Sequence, residues 1–401
     1  MQDLLAPGGA AVFLPRARPL IDRLVLDAHV AKARPEFAEA ANSAGVSVLV
    51  DPLTPFWQGQ LREEDRWARL PFGRAQKLDA RDLSNSFNRE TLVAQVVDFQ
   101  IERGATAIIP PYPYVGSPAD PFFDVALDFL RSTARYMSSN GLALPLVPVL
   151  CVQLLGFGTD RVWSTGIDRF ASAALDLGPE GIALCLSPAG AGNDSYNKVL
   201  RLFMAARRIR RTGARVIAWR QGIYGPGLVA AGLDGYETGI GTRELCNVAS
   251  SIASRKPPKP GQKPGGGGVP GIYLEPLHRS VSSRVGETLL GHRSMRPKLM
   301  CDDDRCCPNG VASTLDQRRQ HAIRTRAREL AALEGQPHES WRLHQIAKDA
   351  RAASDLATQA NDVLRQASIP ERIGTTGYES LARVAEFIRE SASDEAAAGL
   401  A

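Results

Sequence analysis

No run of eighteen apolar residues occurs in the 401-residue chain, so no segment reads as a membrane-spanning helix. The opening MQDLLAPGGAAVFLPRARPL lacks a basic stretch leading into an apolar one, which argues against a secretion signal and for a cytoplasmic protein. Neither sign of charge dominates. The 48 Lys and Arg against 43 Asp and Glu leave a net +5, which permits a polyanionic partner without requiring one. Six cysteines are too few for a disulfide scaffold at this length. No Gly-x-Gly-x-x-Gly follows the first apolar run, and this counts against an open doubly wound dinucleotide-binding sheet.

What the chain does have is a recurring unit: a helical pattern, a glycine, then a short apolar run ending in polar residues. Gly45, Gly104, Gly141, Gly181, Gly213 and Gly232 each precede such a run, as helix C-caps that need a left-handed backbone. The runs are apolar on both faces, as strands of a covered parallel sheet must be. Between them, Leu92, Val93, Val96, Val97 and Ile101 recur at helical spacing, as do Phe122, Val125, Phe129 and Tyr136. Adding AAVFLPR near the start and GIYLEPL (271–277) gives eight strands and predicts an α/β fold, a (β/α)8 TIM barrel over residues 1–298. The stretch RKPPKPGQKPGGGG (255–268) cannot bury anything and reads as a disordered cationic loop before the eighth strand. Beyond 298 the pattern stops. Residues 299–401 hold a cysteine cluster and a charged helical tail.

Reactive groups in such a barrel come from the C-terminal ends of strands and the loops after them. Those ends carry Asp51, the segment PPYPYVG (110–116), Gln153, Ser187, Arg220-Gln221, Glu237, and Glu275 with His278 nearby. Asp51 and Glu237 are the first acids to weigh, against strand-end capping or an ion pair with Arg243. Three cysteines within seven residues (Cys301, Cys306, Cys307) point to metal before disulfide.

The segment AAGLDGYETGIGTRE resembles the tRNA-guanine transglycosylase motif, with the glycine, both acids, the aromatic and the Thr-Arg in register. VSVLVDPLTPFWQ resembles that family's strand ending in Asp-Ser-Gly-Gly-(Phe/Tyr)-Gln, and a cysteine cluster after the eighth strand is its third mark. The resemblance implies that Glu237 is the nucleophile, Asp234 its neighbour and Asp51 the acid/base. It further implies exchange of guanine in tRNA or DNA for a 7-deazaguanine base through a covalent glycosyl-enzyme. An oxocarbenium-like centre needs an anion on one face and a departing purine needs a proton. Tyr112, Tyr114, Gln153, Ser187 and Arg243 are the expected substrate-binding residues.

The departures are equally legible. Glu237 stands where the family has aspartate, Pro52-Leu53-Thr54 replaces Ser-Gly-Gly, Gln153-Leu154-Leu155 replaces Gln-Gly-Gly, and PPYPYVG lacks the acid that reads guanine. A non-catalytic paralogue that binds nucleic acid or a partner subunit, and a barrel enzyme acting on a free nucleoside or sugar, therefore stay open. Laying the family's Cys-x-Cys-x-x-Cys on Cys301 puts Asp303 where the second cysteine belongs and Cys306 on the third, with Cys307 adjacent to supply the missing thiolate. A distant histidine completes the family's set. His338 is the first choice here, with His344 and His321 as alternatives, and the expected ion is structural Zn2+. The tail is the expected surface for a homodimer. RRIRRTGAR (207–215), HRSMRPK (292–298) and the Lys-rich loop are candidate phosphate contacts.

Overall fold

A computed structural model describes residues 20–59, 61, 63, 65–155, 160–190, 192–240, 244–253 and 270–397, with backbone alone at 160–164 and 392–397. The first expected strand (10–16), the loop 255–268 and Arg243 lie outside the described residues. Five parallel strands form where an apolar run was expected: β2 (Ser47–Asp51), β4 (Val149–Gln153), β5 (Ile182–Ser187), β6 (Val216–Ala218) and β7 (Gly235–Tyr236). An unexpected β1 (Arg23–Asp27) runs parallel to β2, in a register that sets Asp27 beside Asp51. The third run is a stitch rather than a full strand. Thr106 N donates to Val48 O, and Ile108 bridges Leu146, which joins β2 to the chain entering β4. A two-residue β3 (Tyr114–Val115) follows and pairs with β4, while β8 (Ile272–Leu274) pairs antiparallel with β9 (Arg279–Val281).

The intervening helices obey the periodicity read from the sequence. Those used below are α1 (Glu36–Ser43), α2 (Ser86–Glu102), α3 (Pro121–Ser139), α4 (Asp160–Leu175) and α5 (Tyr196–Arg210). Asn85 and Asp120 cap α2 and α3 by accepting from backbone N–H groups of the first turn. Gly45, Gly104, Gly141, Gly213 and Gly232 adopt the expected positive φ. Gly181 does not, because α4 ends earlier and Gly178 makes the turn instead.

Alternation along the strands sorts the side chains into two faces. Leu49, Val149, Cys151, Ala183, Cys185 and Trp219 share one buried cluster, whereas Val48, Val50, Leu150, Leu184 and Val216 pack outward against helices. The sheet is also strongly curled. Four strand spacings separate β6 from β2, which in a flat sheet is about 19 Å. Yet Arg220, just past β6, reaches Asp51 at the end of β2 at 3.0 Å and Asp27 at the end of β1 at 3.5 Å.

The C-terminal helices α6 (Arg318–Glu334), α7 (Glu339–Gln366) and α8 (Thr376–Ala397) do not form a separate core. Leu343, Ala350, Ala357, Leu364, Val384 and Ile388 belong to the same cluster as Leu150, Leu184 and Val216. Alanines at 347, 350, 353, 357 and 360 keep one face of α7 small, so a neighbouring helix can approach closely. Among the described residues, no helix is long and apolar enough to cross a membrane.

Candidate functional site

Two strand-end acids converge on one arginine. Asp51 is fully buried, and its Oδ1 accepts from Leu53 N (2.9 Å) and from the Tyr112 hydroxyl (2.7 Å). Its Oδ2 accepts from Arg220 Nη2 at 3.0 Å. The backbone N–H of Arg220 donates to Glu237 Oε2 at 2.9 Å, made possible by a left-handed φ of 60° that turns the chain sharply after β6. Burial works against the Arg220 charge, but Asp51, Tyr112, Glu237 and Cys185 together outweigh it and hold the guanidinium well above its usual range.

Glu237 is the acid that keeps some exposure. Its backbone is fixed on both sides: its N–H donates to Ala218 O (2.7 Å), and its carbonyl accepts from Gln221 N (3.0 Å). Burial pushes its carboxyl up to about 7, with Arg220 opposing the rise and Asp51 adding to it. A surrounded yet solvent-reachable acid titrating near neutrality is suited to covalent or proton-transfer chemistry.

The segments after β2 and before β3 are laced together. Thr54 Oγ1 accepts from Tyr112 N (2.8 Å), and the Gln58 amide clasps the Tyr114 peptide through its N–H (2.6 Å) and its carbonyl (2.8 Å). Tyr112 is buried in the inner cluster, so it serves as a partner of Asp51 rather than as an exposed stacking platform. Tyr114 is half-buried, and Gln153 lies in register beside Ser187, whose Oγ accepts from Val248 N at 2.8 Å. Segment 244–253 thus crosses the strand ends, with Cys246 bridged to Ala189 and its sulfur 3.4 Å from that of Cys185.

Asp234 stands apart from this group. It precedes β7, accepts from Val216 N (2.8 Å) at the start of β6, and lies 3.8 Å from Arg210 and 3.9 Å from Arg215. Parallel pairing puts it at the opposite end of the strands from Glu237, so it braces β7 and is not the neighbour of Glu237 that the resemblance implies. The arginine run 207–215 is largely accounted for as well. Arg207 pairs with Glu339 (2.6 Å), Arg208 forks onto Asp168 (2.8 and 2.6 Å), and Arg210 donates to Gly232 O (3.1 Å). Arg293, Arg296 and Lys298 remain exposed.

The second site is a buried group of Cys301, Cys306, Cys307 and His321, whose donor atoms all lie within 4.8 Å of one another. His321 Nδ1 is 3.5 Å from Cys306 Sγ and 3.4 Å from Cys307 Sγ, and the two sulfurs are 3.9 Å apart. A tetrahedral ion with thiolate and imidazole ligands has edges of about 3.8 Å (S–S) and about 3.5 Å (S–N). The donor set can therefore hold a metal ion and is compatible with zinc. The other ring nitrogen, Nε2, faces the Tyr273 carbonyl at 3.1 Å, an orienting contact typical of metal-bound histidine. The hydrogen bond with Cys306 brings Cys307 down to about 4 against burial, with His321 and Thr314 helping. Burial disfavours the charged imidazole, but the Cys301 and Cys307 sulfurs outweigh it and raise His321 to about 9. Such a shared-proton cluster gives up its protons to a bound cation.

His338, the first choice for the fourth ligand, is corrected to His321. The His338 ring packs edge-on against Trp341 with centroids 5.2 Å apart, and His344 pairs with Arg389 at 3.0 Å. His321 sits on α6, one helix earlier. Asp27 went unread as a site residue, and Arg220 reads in the sequence as a strand end without a role. RLVLD repeats the form of SVLVD and in principle signalled Asp27, whereas the backbone turn at Arg220 leaves no trace in composition.

No protein-family model matches the chain, and a search of curated proteins finds no significant match.

Proposed function

We propose that the curled sheet closes into a (β/α)8 barrel and that the chain is a pentosyltransferase of the tRNA-guanine transglycosylase type, exchanging a guanine-type base in tRNA or DNA. The observation that carries this reading is the meeting of Asp27, Asp51 and Glu237 around Arg220 at the C-terminal end of the sheet. In it, a Glu237 oxygen attacks the anomeric carbon as the carbon–nitrogen bond to guanine breaks. The leaving base takes its proton from solvent water, because Asp51, expected as the acid/base, is buried and already accepts three hydrogen bonds. The incoming 7-deazaguanine then gives a proton to solvent water, attacks the same carbon and releases the Glu237 carboxylate. Asp51, buried and held by three donors, fixes Arg220, and the carboxylate pair favours a positively charged sugar. Zinc held by Cys301, Cys306, Cys307 and His321 is structural in this reading, since four protein ligands leave no open position.

The test is incubation with radiolabelled guanine or a deazaguanine and either tRNA or duplex DNA. Label retained in the polymer and lost in Glu237→Gln supports the proposal. Binding of both polymers without incorporation would favour a non-catalytic nucleic-acid-binding relative, a reading to which the complete burial of Asp51 lends weight.

A further inference from the structure

One helix touches both sites. His321, the imidazole of the metal group, lies in the first turn of α6, and Arg326 follows five residues on, about 7.5 Å further along the axis. Arg326 is buried, and its Nη1 donates to Thr238 Oγ1 (3.0 Å) and to Gly239 O (3.2 Å), the two residues immediately after Glu237. Its Nη2 forms an ion pair with the buried Glu244 at 3.1 Å, at the far side of the same connection. The guanidinium also lies 4.4 Å over the ring of Tyr273, the residue whose carbonyl faces His321 Nε2. Two residues further, Arg328 pairs with Glu275, and Glu329 binds both the Tyr273 hydroxyl and His278.

These contacts draw the chain after β7 onto α6 by a side chain with little freedom. Glu237 itself is held by backbone bonds to Ala218 and Gln221 and by Arg220 N, whereas Arg326 holds the Thr238 hydroxyl and the Gly239 carbonyl that follow it. A buried arginine with several fixed partners is a rigid tether. The imidazole of His321 fixes the same helix against β8 and against the three thiols.

We propose that the metal centre governs the placement of Glu237 through α6, with Arg326 as the positioning residue. This rests on the reading of Glu237 as the reactive acid, but its test does not require transferase activity. The charged and titratable groups facing Glu237 are Arg220, Asp51, Cys185 and Cys246, so Arg326 acts on it through the Thr238–Gly239 turn rather than by its own charge. Loosening that turn admits water to Glu237 and returns its carboxyl toward the ordinary range.

The experiment uses the full chain labelled with 13C-glutamate, with the Glu237 resonance assigned by its loss in Glu237→Gln and followed across pH. In Arg326→Met the Glu237 midpoint is expected to fall by about one pH unit or more, a tenfold change in its ionisation. Arg326→Lys is expected to recover part of that fall. Because Arg326→Met leaves Glu244 buried without its cation, the double variant Arg326→Met/Glu244→Gln provides the same comparison in a neutral setting. Removal of the metal by a chelator under thiol reductant is expected to move the midpoint in the same direction. An unchanged midpoint in the double variant with native helix content, or in chelated protein shown to be metal-free, would overturn the coupling. Failure of the base-exchange assay would leave this titration unaffected and bear on the function alone.

Discussion

Among the described residues, Arg220 N is the one donor to the Glu237 carboxyl, whereas Asp51 receives three. That asymmetry separates the two acids the sequence treats alike. The folded-state value near 7 lies above the ordinary carboxylate value of 4.5, so the fold favours the protonated form of Glu237. Its contribution to stability is present below about pH 4.5 and is lost as pH rises through 7. Glu237→Gln should therefore be more stable than the parent protein at pH 8, by on the order of 1–3 kcal/mol, with little difference at pH 4. Chemical denaturation at the two pH values measures this, and equal shifts at both would place the acid in ordinary solvent. Tyr112→Phe removes a donor from the buried Asp51 and should cost about 1–3 kcal/mol. A variant as stable as the parent would mean that the hydroxyl contact is not formed. At the metal group, His321→Ala should lose bound metal while His338→Ala retains it, measured as metal per chain by atomic emission. The reverse pattern would restore His338 as the ligand.

At the level of elements, the sequence was legible wherever burial imposes a period. The helices at 86–102, 121–139 and 196–210 lie where apolar spacing put them, and the acids ending β2 and β7 flank a common arginine. Elements too short to show a period were not legible. The stitch at 105–109 looks like a strand in composition but makes a single bridge, and β1 was displaced by the more glycine-rich run before it. Asp234 and Glu237 stand three residues apart on a strand of two, so they fall at opposite ends, which spacing alone did not reveal. His321 was legible as a candidate but not as the choice, because the ligand distance depends on how α6 folds back over β8. The alanine face of α7 yields an element-scale prediction. Ala357→Leu adds bulk where none is accommodated and should cost about 1–3 kcal/mol in thermal or denaturant unfolding. The exposed Arg296→Ala should remain within about 0.5 kcal/mol of the parent. Equal stability of the two variants would show that α7 does not pack through this face.

For the whole molecule, a curled parallel sheet brings the ends of β1, β2, β6 and β7 to one place, and the C-terminal helices pack into the core that supports it. The tail is thus part of the folded body, and the metal group lies at the junction between its first long helix and β8. Arg220 is the joint where distant stretches of chain meet, and Glu237, unlike the buried Asp51, retains access to solvent there. The most direct test is to quench a reaction with guanine-containing tRNA or duplex DNA by denaturation and to map any covalent protein–nucleic acid adduct by mass spectrometry. Attachment to the peptide containing Glu237, absent in Glu237→Gln, is the expected result. Attachment at Asp51, at Asp234 or at a cysteine would contradict the assignment of Glu237 as the reactive acid.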